Sequence, residues 1–323
     1  MQEVVVYLRS MVFLGTQIVA FPLLYQIKQF WPQCHLRVVG QDDLAKHYEA
    51  LPWVDEYVRA NRLKQNYLAL GAKPDLAIAL HFASEQFSLV SWVKGVKNRL
   101  GFRNGRASDF LWTHSYRKDY SEYMGIANLK LLASFKSFDV AMAARACVTA
   151  IASQRTFTPP EAQIVFMPGG GAGEYKRWPV EQYVQLADLL KVSQGAQSKF
   201  CFVLGPDEVD ECAWLKSLGR EDFVLLENRP MAEIAWMVLQ ARIVIANDCG
   251  PSHYAQFACV PYVGVFHETN LEWFWTRPDT AHVTPPQVLK TTQSDAGNQI
   301  KQGIKSITPE EVHIAACLVI NSR

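Results

Sequence analysis

Short apolar runs alternate with polar stretches of helical period along most of the chain. Residues 4–8 (VVVYL), 36–39 (LRVV), 55–58 (DEYV) and 75–80 (DLAIAL, after Pro74) predict short strands, the most apolar of them covered on both faces. Residues 21–30 carry helical spacing and end before Trp31-Pro32, and 42–50 and 63–70 also predict helices. Residues 154–163 (QRTFTPPEAQ) hold Pro159-Pro160 and few apolar positions, which marks a linker. Beyond it the alternation restarts. Strands are expected at 164–167 (IVFM), 200–204 (FCFVL), 223–226 (FVLL), 243–246 (IVIA) and 262–266 (YVGVF), with helices at 180–191, 208–218, 231–241 and 252–259. A last helix opens at Thr308, with Pro309 suited to its first position and Glu311 completing a capping box.

Strand–helix alternation of this kind implies an α/β fold with parallel, doubly wound sheets. Two such series imply two Rossmann-like lobes with a ligand cleft between them. The expected division is 1–155, 156–307 and a final helix, 308–323, packing back toward the first lobe. Ligands of such sheets bind beyond the carboxyl ends of the strands.

Composition agrees with that picture. At roughly 100–200 residues per domain, a chain of 323 residues holds two domains. Hydrophobic residues at 49% and charged residues at 20% exclude a disordered chain. The net charge of +1 argues against a dedicated nucleic-acid binder. That balance hides an asymmetry: residues 1–160 hold 19 basic and 12 acidic side chains, a net of +7, and 161–323 hold 13 and 19, a net of −6. The first half therefore suits an anionic partner better. The seven cysteines, at 34, 147, 201, 212, 249, 259 and 317, form no C-x-x-C pair, and they read as free thiols of a reducing compartment. Residues 10–27 are uncharged, but Gly15, Gln17, Pro22 and Gln26 lie among them, so they read as a loop and helix following a buried strand.

Two segments carry candidate chemistry. The first is strand, loop, helix: IVFM, then PGGGAGEYKRWP. Gly169, Gly170 and Gly171 let backbone approach a phosphate closely, and Lys176 offers a mobile cation to a departing phosphate. The segment matches neither a Walker loop nor the G-x-G-x-x-G fingerprint, and a plain glycine-rich turn remains the alternative. The second is Asn247-Asp248-Cys249-Gly250-Pro251-Ser252-His253, a strand end, tight turn and helix start. Here Asp248 could accept backbone hydrogen bonds, Ser252 could cap, and His253 could face either a phosphate or the core.

A third feature is basic. Residues 94–118 hold seven cations (Lys94, Lys97, Arg99, Arg103, Arg106, Arg117, Lys118) against Asp109, interleaved with Phe110, Trp112 and Tyr116. RNA, an anionic lipid surface or a solvated basic face all fit this pattern.

Taken together, IVFMPGGGAGEYKRWPVEQYVQLADLL and NDCGPSHYAQFACVPYVGVF resemble the two signatures of glycosyltransferase family nine, the lipopolysaccharide heptosyltransferases. Cys249 stands where that family has Ser or Thr. The opening LRSMVFLGTQIVAFPLL and the closing TPEEV helix are similar as well. The resemblance implies a GT-B architecture and an inverting, metal-independent transfer of heptose from an ADP-linked donor held by the second lobe. No cofactor beyond that nucleotide-sugar substrate is implied. The acceptor would be an anionic glycolipid held by the first lobe, near Lys94, Lys97, Arg99, Arg103 and Arg106. A cytoplasmic protein follows, peripheral on the inner membrane at most. The phosphate-binding lysine falls on Lys176 and the D-x-G-x-x-H turn on Asp248, Gly250 and His253. Glu208 lies near the family's ribose contact, and Arg229-Pro230-Met231 near its adenine contact.

One position departs. The carboxylate presumed to act as the family's general base falls on Thr16, and a hydroxyl cannot take a proton near neutral pH. His81, following the strand at 75–80, is the first substitute, and an unperturbed imidazole titrates near neutrality. The alternatives are a different acceptor, or a weakened or inactive homologue that binds donor without efficient transfer. A sugar-nucleotide epimerase would share the architecture but gives K-R-W-P no role.

Overall fold

The computed structural model describes the chain apart from residues 10–12, 49, 82–84, 118, 171–172, 286, 290–298, 302 and 323. It forms two compact units, Met1–Cys147 and Val148–Arg323, and the division falls inside the helix Val140–Ala152.

The first unit is a six-stranded parallel sheet: β1 (Glu3–Tyr7), β2 (His35–Gly40), β3 (Glu56–Arg59), β4 (Leu76–Ala79), β5 (Asn98–Arg103) and β6 (His114–Arg117), in the order β3-β2-β1-β4-β5-β6. The β-branched run Val4-Val5-Val6 puts β1 at its centre, with no exposed side chain on either face. Val6 pairs with Val38 on one side and Ile78 on the other. The uncharged stretch folds as Leu14–Ile18 and Phe21–Phe30, and no described helix is long and apolar enough to cross a membrane.

The second unit repeats the plan with β7 (Ile164–Met167), β8 (Phe200–Leu204), β9 (Phe223–Glu227), β10 (Ile243–Asn247), β11 (Tyr262–Val265) and β12 (Thr280–Val283), in the order β12-β11-β10-β7-β8-β9. A hairpin of β13 (Gln287–Leu289) and β14 (Gln299–Lys301) follows. Each sheet changes direction beside its first strand, between β1 and β4 and between β7 and β10. Those switch points are where a doubly wound sheet takes its ligand.

Phe166 of β7 packs with Phe200 and Phe202 of β8 and with Tyr183, which Trp178 meets in turn. The same core takes in Val312, Ala316 and Val319 of the last helix, Pro309–Asn321, and Trp178 Nε1 donates to Ile307 O at 2.9 Å. The last helix therefore packs on the core of the second unit. Its apolar stripe is matched to a neighbouring aromatic core. The capping box forms as expected: Glu311 N donates to Thr308 Oγ1 at 3.3 Å, and Thr308 N to Glu311 Oε2 at 2.8 Å.

Candidate functional site

Both loops singled out from sequence leave the carboxyl edge of the second sheet at its switch point. The chain exits β7 through Pro168-Gly169-Gly170, makes a 3₁₀ turn at Glu174–Lys176, and enters the helix Val180–Gln194. Gly171 lies outside the described residues. A Cβ on Gly169 would stand 3.1 Å from the Glu208 carboxylate, so that position admits little beyond glycine. The second turn leaves β10 at Asn247, and β10 pairs with β7 along its length.

Asn247 ties the two loops together. It is wholly buried; Tyr183 Oη donates to its Oδ1 at 2.9 Å, and its Nδ2 donates to Pro168 O at 2.6 Å. The sequence reading used Asn247 only as a strand end. An amide at the buried end of a strand, next to a candidate acid, was the signal available.

Beyond Asn247, Lys176 Nζ lies 2.6 Å from Asp248 Oδ2, with side-chain exposures of 18% and 12%. This is a charge-assisted hydrogen bond in a sheltered place. Its neighbour Arg177 braces the glycine loop: Nε donates to Gly170 O at 3.2 Å, and a terminal nitrogen stands 3.3 Å from Glu208 Oε1. The other Glu208 oxygen accepts from Gly205 N at 2.8 Å. Glu208, expected beside a ribose, thus fastens the end of β8 to the glycine loop, and Arg177 is a site residue the sequence reading passed over.

The rest of the second turn faces inward. Burial pushes the Cys249 thiol up to about 12, so it is no nucleophile. Ser252 was expected to cap; instead its Oγ donates to Cys249 O at 2.7 Å. A serine hydroxyl spent on the turn carbonyl braces the turn in place of the helix amides. His253 is enclosed, and desolvation, partly opposed by Asp248, lowers its pKa to about 4. Its Nδ1 meets Gln256 Nε2 at 3.3 Å. His253 is therefore a neutral, core-facing ring near pH 7, the second of the two orientations the sequence left open. Gly250 supplies the carbonyl that His253 N reaches at 3.2 Å. Met231 opens the helix Met231–Gln240 half-buried, beside Arg229, which pairs with Glu233 at 2.6 Å and covers the Phe157 ring.

In the first unit, Thr16 and His81 both lie at the switch point between β1 and β4. Thr16 is buried in the short helix after β1 and lines a small pocket with Leu8, Arg9 and Leu80. His81 stacks on Phe87, its Nε2 is buried without a hydrogen-bond partner, and burial together with Arg9 lowers its pKa to about 4. The expectation of a near-neutral imidazole is thereby corrected.

The basic cluster is not one patch. Lys94 and Lys97 precede β5 and Arg99 lies in its first turn of register, whereas Arg103 closes β5 and Arg106 follows it. About 13 Å of strand separates Arg99 from Arg103. Arg99 is committed to structure, donating to Leu111 O at 2.8 Å and Val96 O at 2.5 Å, and Lys94 covers the Tyr67 ring. Lys94, Lys97 and Arg99, expected as acceptor contacts, thus sit at the start of β5, the edge of the sheet opposite its carboxyl ends. Arg103 and Arg106 stay on the ligand side, where Arg106 pairs with Glu85. Among the described residues, no three His, Cys, Asp or Glu side chains gather as a metal centre would require.

Two doubly wound sheets, with a glycine loop and a lysine–aspartate pair at the switch point of the second, define a GT-B glycosyltransferase. Residues 62–289 match the model of glycosyltransferase family 9 (heptosyltransferase), and the chain belongs to that family. No curated protein matches the sequence. Among solved structures, a family 9 glycosyl transferase from Veillonella parvula DSM 2008 is similar at 18% identity and TM-score 0.65, over 100% of this chain and 98% of that one. The E. coli ADP-heptose lps heptosyltransferase II aligns at 17% identity and TM-score 0.60, over 99% of each chain. The E. coli heptosyltransferase WaaC, solved with ADP-2-deoxy-2-fluoro heptose, aligns at 15% identity and TM-score 0.65, over 96% of this chain and 98% of that one.

Proposed function

We propose that the protein moves a heptose, or a related sugar, from an ADP-linked donor to a lipopolysaccharide-core or similar glycan acceptor, inverting the anomeric centre without a metal. The observation that carries the reading is the Lys176–Asp248 pair joining the glycine loop to the second turn. When the glycosidic bond to the donor breaks, negative charge builds on the departing diphosphate. A cation held by a preorganised partner at that point stabilises the charge without reorganising. Lys176 fills that role, Asp248 orients it, and Gly169 and Gly170 let backbone amides approach the phosphates. The ADP and ADP-heptose analogue in the related WaaC structures support adenine as the base.

The acceptor is an anionic glycolipid met from the first unit, with Arg103 and Arg106 as its contacts. The enzyme then works in the cytoplasm, peripherally on the inner membrane, and takes no nucleic acid. His81, held neutral at pH 7 by its burial, is the base. Thr16 itself supports the second reading, a homologue that holds donor and turns it over poorly, since an absent base costs ~10²–10⁴-fold in rate.

The test pairs calorimetry with a product assay. ADP and ADP-heptose should bind and UDP should not, and sugar should leave the donor only when a heptose-terminated core acceptor is added. Preference for UDP would sink the donor assignment. Binding with no product would favour the second reading.

A further inference from the structure

The carboxyl edge of the second sheet carries one more polar side chain that the sequence reading did not nominate. His267 stands just past the end of β11. Asn247 of β10 pairs with Val265 of β11, so both strands end at the same level of the carboxyl edge, and His267 follows two residues later. From the glycine loop, the Tyr175 ring meets His267 edge-on, with centroids 5.0 Å apart. Tyr175 precedes Lys176, so His267 touches the glycine loop of the site.

Its two nitrogens differ. Nε2 lies 3.3 Å from Glu268 Oε1, an acceptor-only group, which assigns a proton to Nε2. Nδ1 is buried and has no hydrogen-bond partner. Charge gives this gap a meaning. Lys176 is already met by Asp248 and Arg177 by Glu208, so both cations beside the glycine loop are neutralised before a donor arrives. A sugar diphosphate brings a negative charge on each phosphate.

We propose that His267 is a donor-diphosphate ligand. When the diphosphate binds, the ring takes a second proton from solvent at Nδ1, and that N–H donates to a phosphate oxygen while Glu268 holds Nε2–H. Among the described residues, Glu268, on its own loop, and Tyr175 are ionisable groups that meet the ring. The inference rests on the donor reading above, and its test separates the two.

ADP binding is measured by calorimetry near pH 7 in two buffers of different ionisation enthalpy, for the whole chain, for His267→Gln and for Lys176→Ala. The unaltered protein should take up part of a proton on binding ADP. His267→Gln should abolish that uptake and weaken ADP roughly tenfold, as loss of a charge-assisted hydrogen bond does. Lys176→Ala should weaken ADP while keeping the uptake. Should His267→Gln bind ADP as tightly as the unaltered protein, with the same proton uptake, the inference is wrong and the donor reading stands. Should the folded, unaltered protein bind no ADP, both are wrong.

Discussion

Lys176 Nζ and Asp248 Oδ2, 72 positions apart in the chain, meet at 2.6 Å. The pair joins the loop after β7 to the turn after β10, so the lysine cation of the glycine loop is held where a leaving diphosphate would pass. Lys176→Ala should cut kcat/KM for the sugar donor by ~10²–10³, the scale of a lost charge-stabilising group. Steady-state kinetics with ADP-heptose and a core acceptor measures this. A variant within threefold of the unaltered enzyme would remove Lys176 from the mechanism.

Asn247 holds the same two loops by hydrogen bonds alone, to Tyr183 and Pro168. Asn247→Leu strands the Tyr183 hydroxyl and the Pro168 carbonyl in the core. Each stranded group costs about 1–3 kcal/mol. Urea unfolding should therefore show a loss of several kcal/mol for Asn247→Leu, against about 1 kcal/mol for Tyr183→Phe, which removes a hydroxyl and leaves one acceptor short. Equal losses would mean that Asn247 matters only through Tyr183.

The second unit was the more legible in sequence because its strands are buried apolar runs. Ile164–Met167, Phe200–Leu204 and the start of the helix at Val180 fall where the pattern puts them. The strands that escaped notice are β5, β6, β12 and the hairpin strands β13 and β14. β6 and β12 are sheet edges and half-exposed, so no apolar run marks them. β5 sets Leu100 and Phe102 around Gly101 and between Arg99 and Arg103, too short an apolar run to mark a strand, and its arginines read as one basic patch. Only the strand explains why Arg99 and Arg103 point to opposite ends of the sheet. At the site, motif spacing found Lys176 and Asp248. It did not reveal that His253 would be sealed in the core, because the direction of a side chain on a six-residue helix depends on Trp273 and Gln256 from outside the motif.

Thr16 and His81 make a paired test. If His81 is the base, His81→Gln should lower kcat by ~10²–10⁴ with little change in donor KM, because the ring acts on the acceptor hydroxyl. Thr16→Asp should then partly restore turnover to His81→Gln by returning a carboxylate to the same switch point. Full activity in His81→Gln would exclude the ring as base, and a gain in Thr16→Asp on the unaltered background would mark the protein as a weakened enzyme.

Acid should destabilise the fold in two separable stages. His81 and His253 are held neutral by burial, with pKa values of about 4, below the ordinary imidazole value of 6.5. The unfolded chain therefore binds protons that the folded chain refuses as pH falls below 6.5, and stability drops with pH down to about 4, where the folded rings titrate as well. Within that window each ring adds up to about 1.4 kcal/mol per pH unit to the slope. Asp222 acts lower down. Arg220, with Lys191, holds its carboxyl well below the usual carboxylate range, so its contribution is intact above the unfolded value and disappears only as pH falls further. Urea midpoints between pH 7 and pH 4.5 should thus decline in the unaltered protein. The decline should be shallower in His253→Gln, which keeps an uncharged polar group in the pocket. An equal slope in His253→Gln would mean that the ring is solvated and protonated in the folded state, and that the second turn is more open than its burial implies.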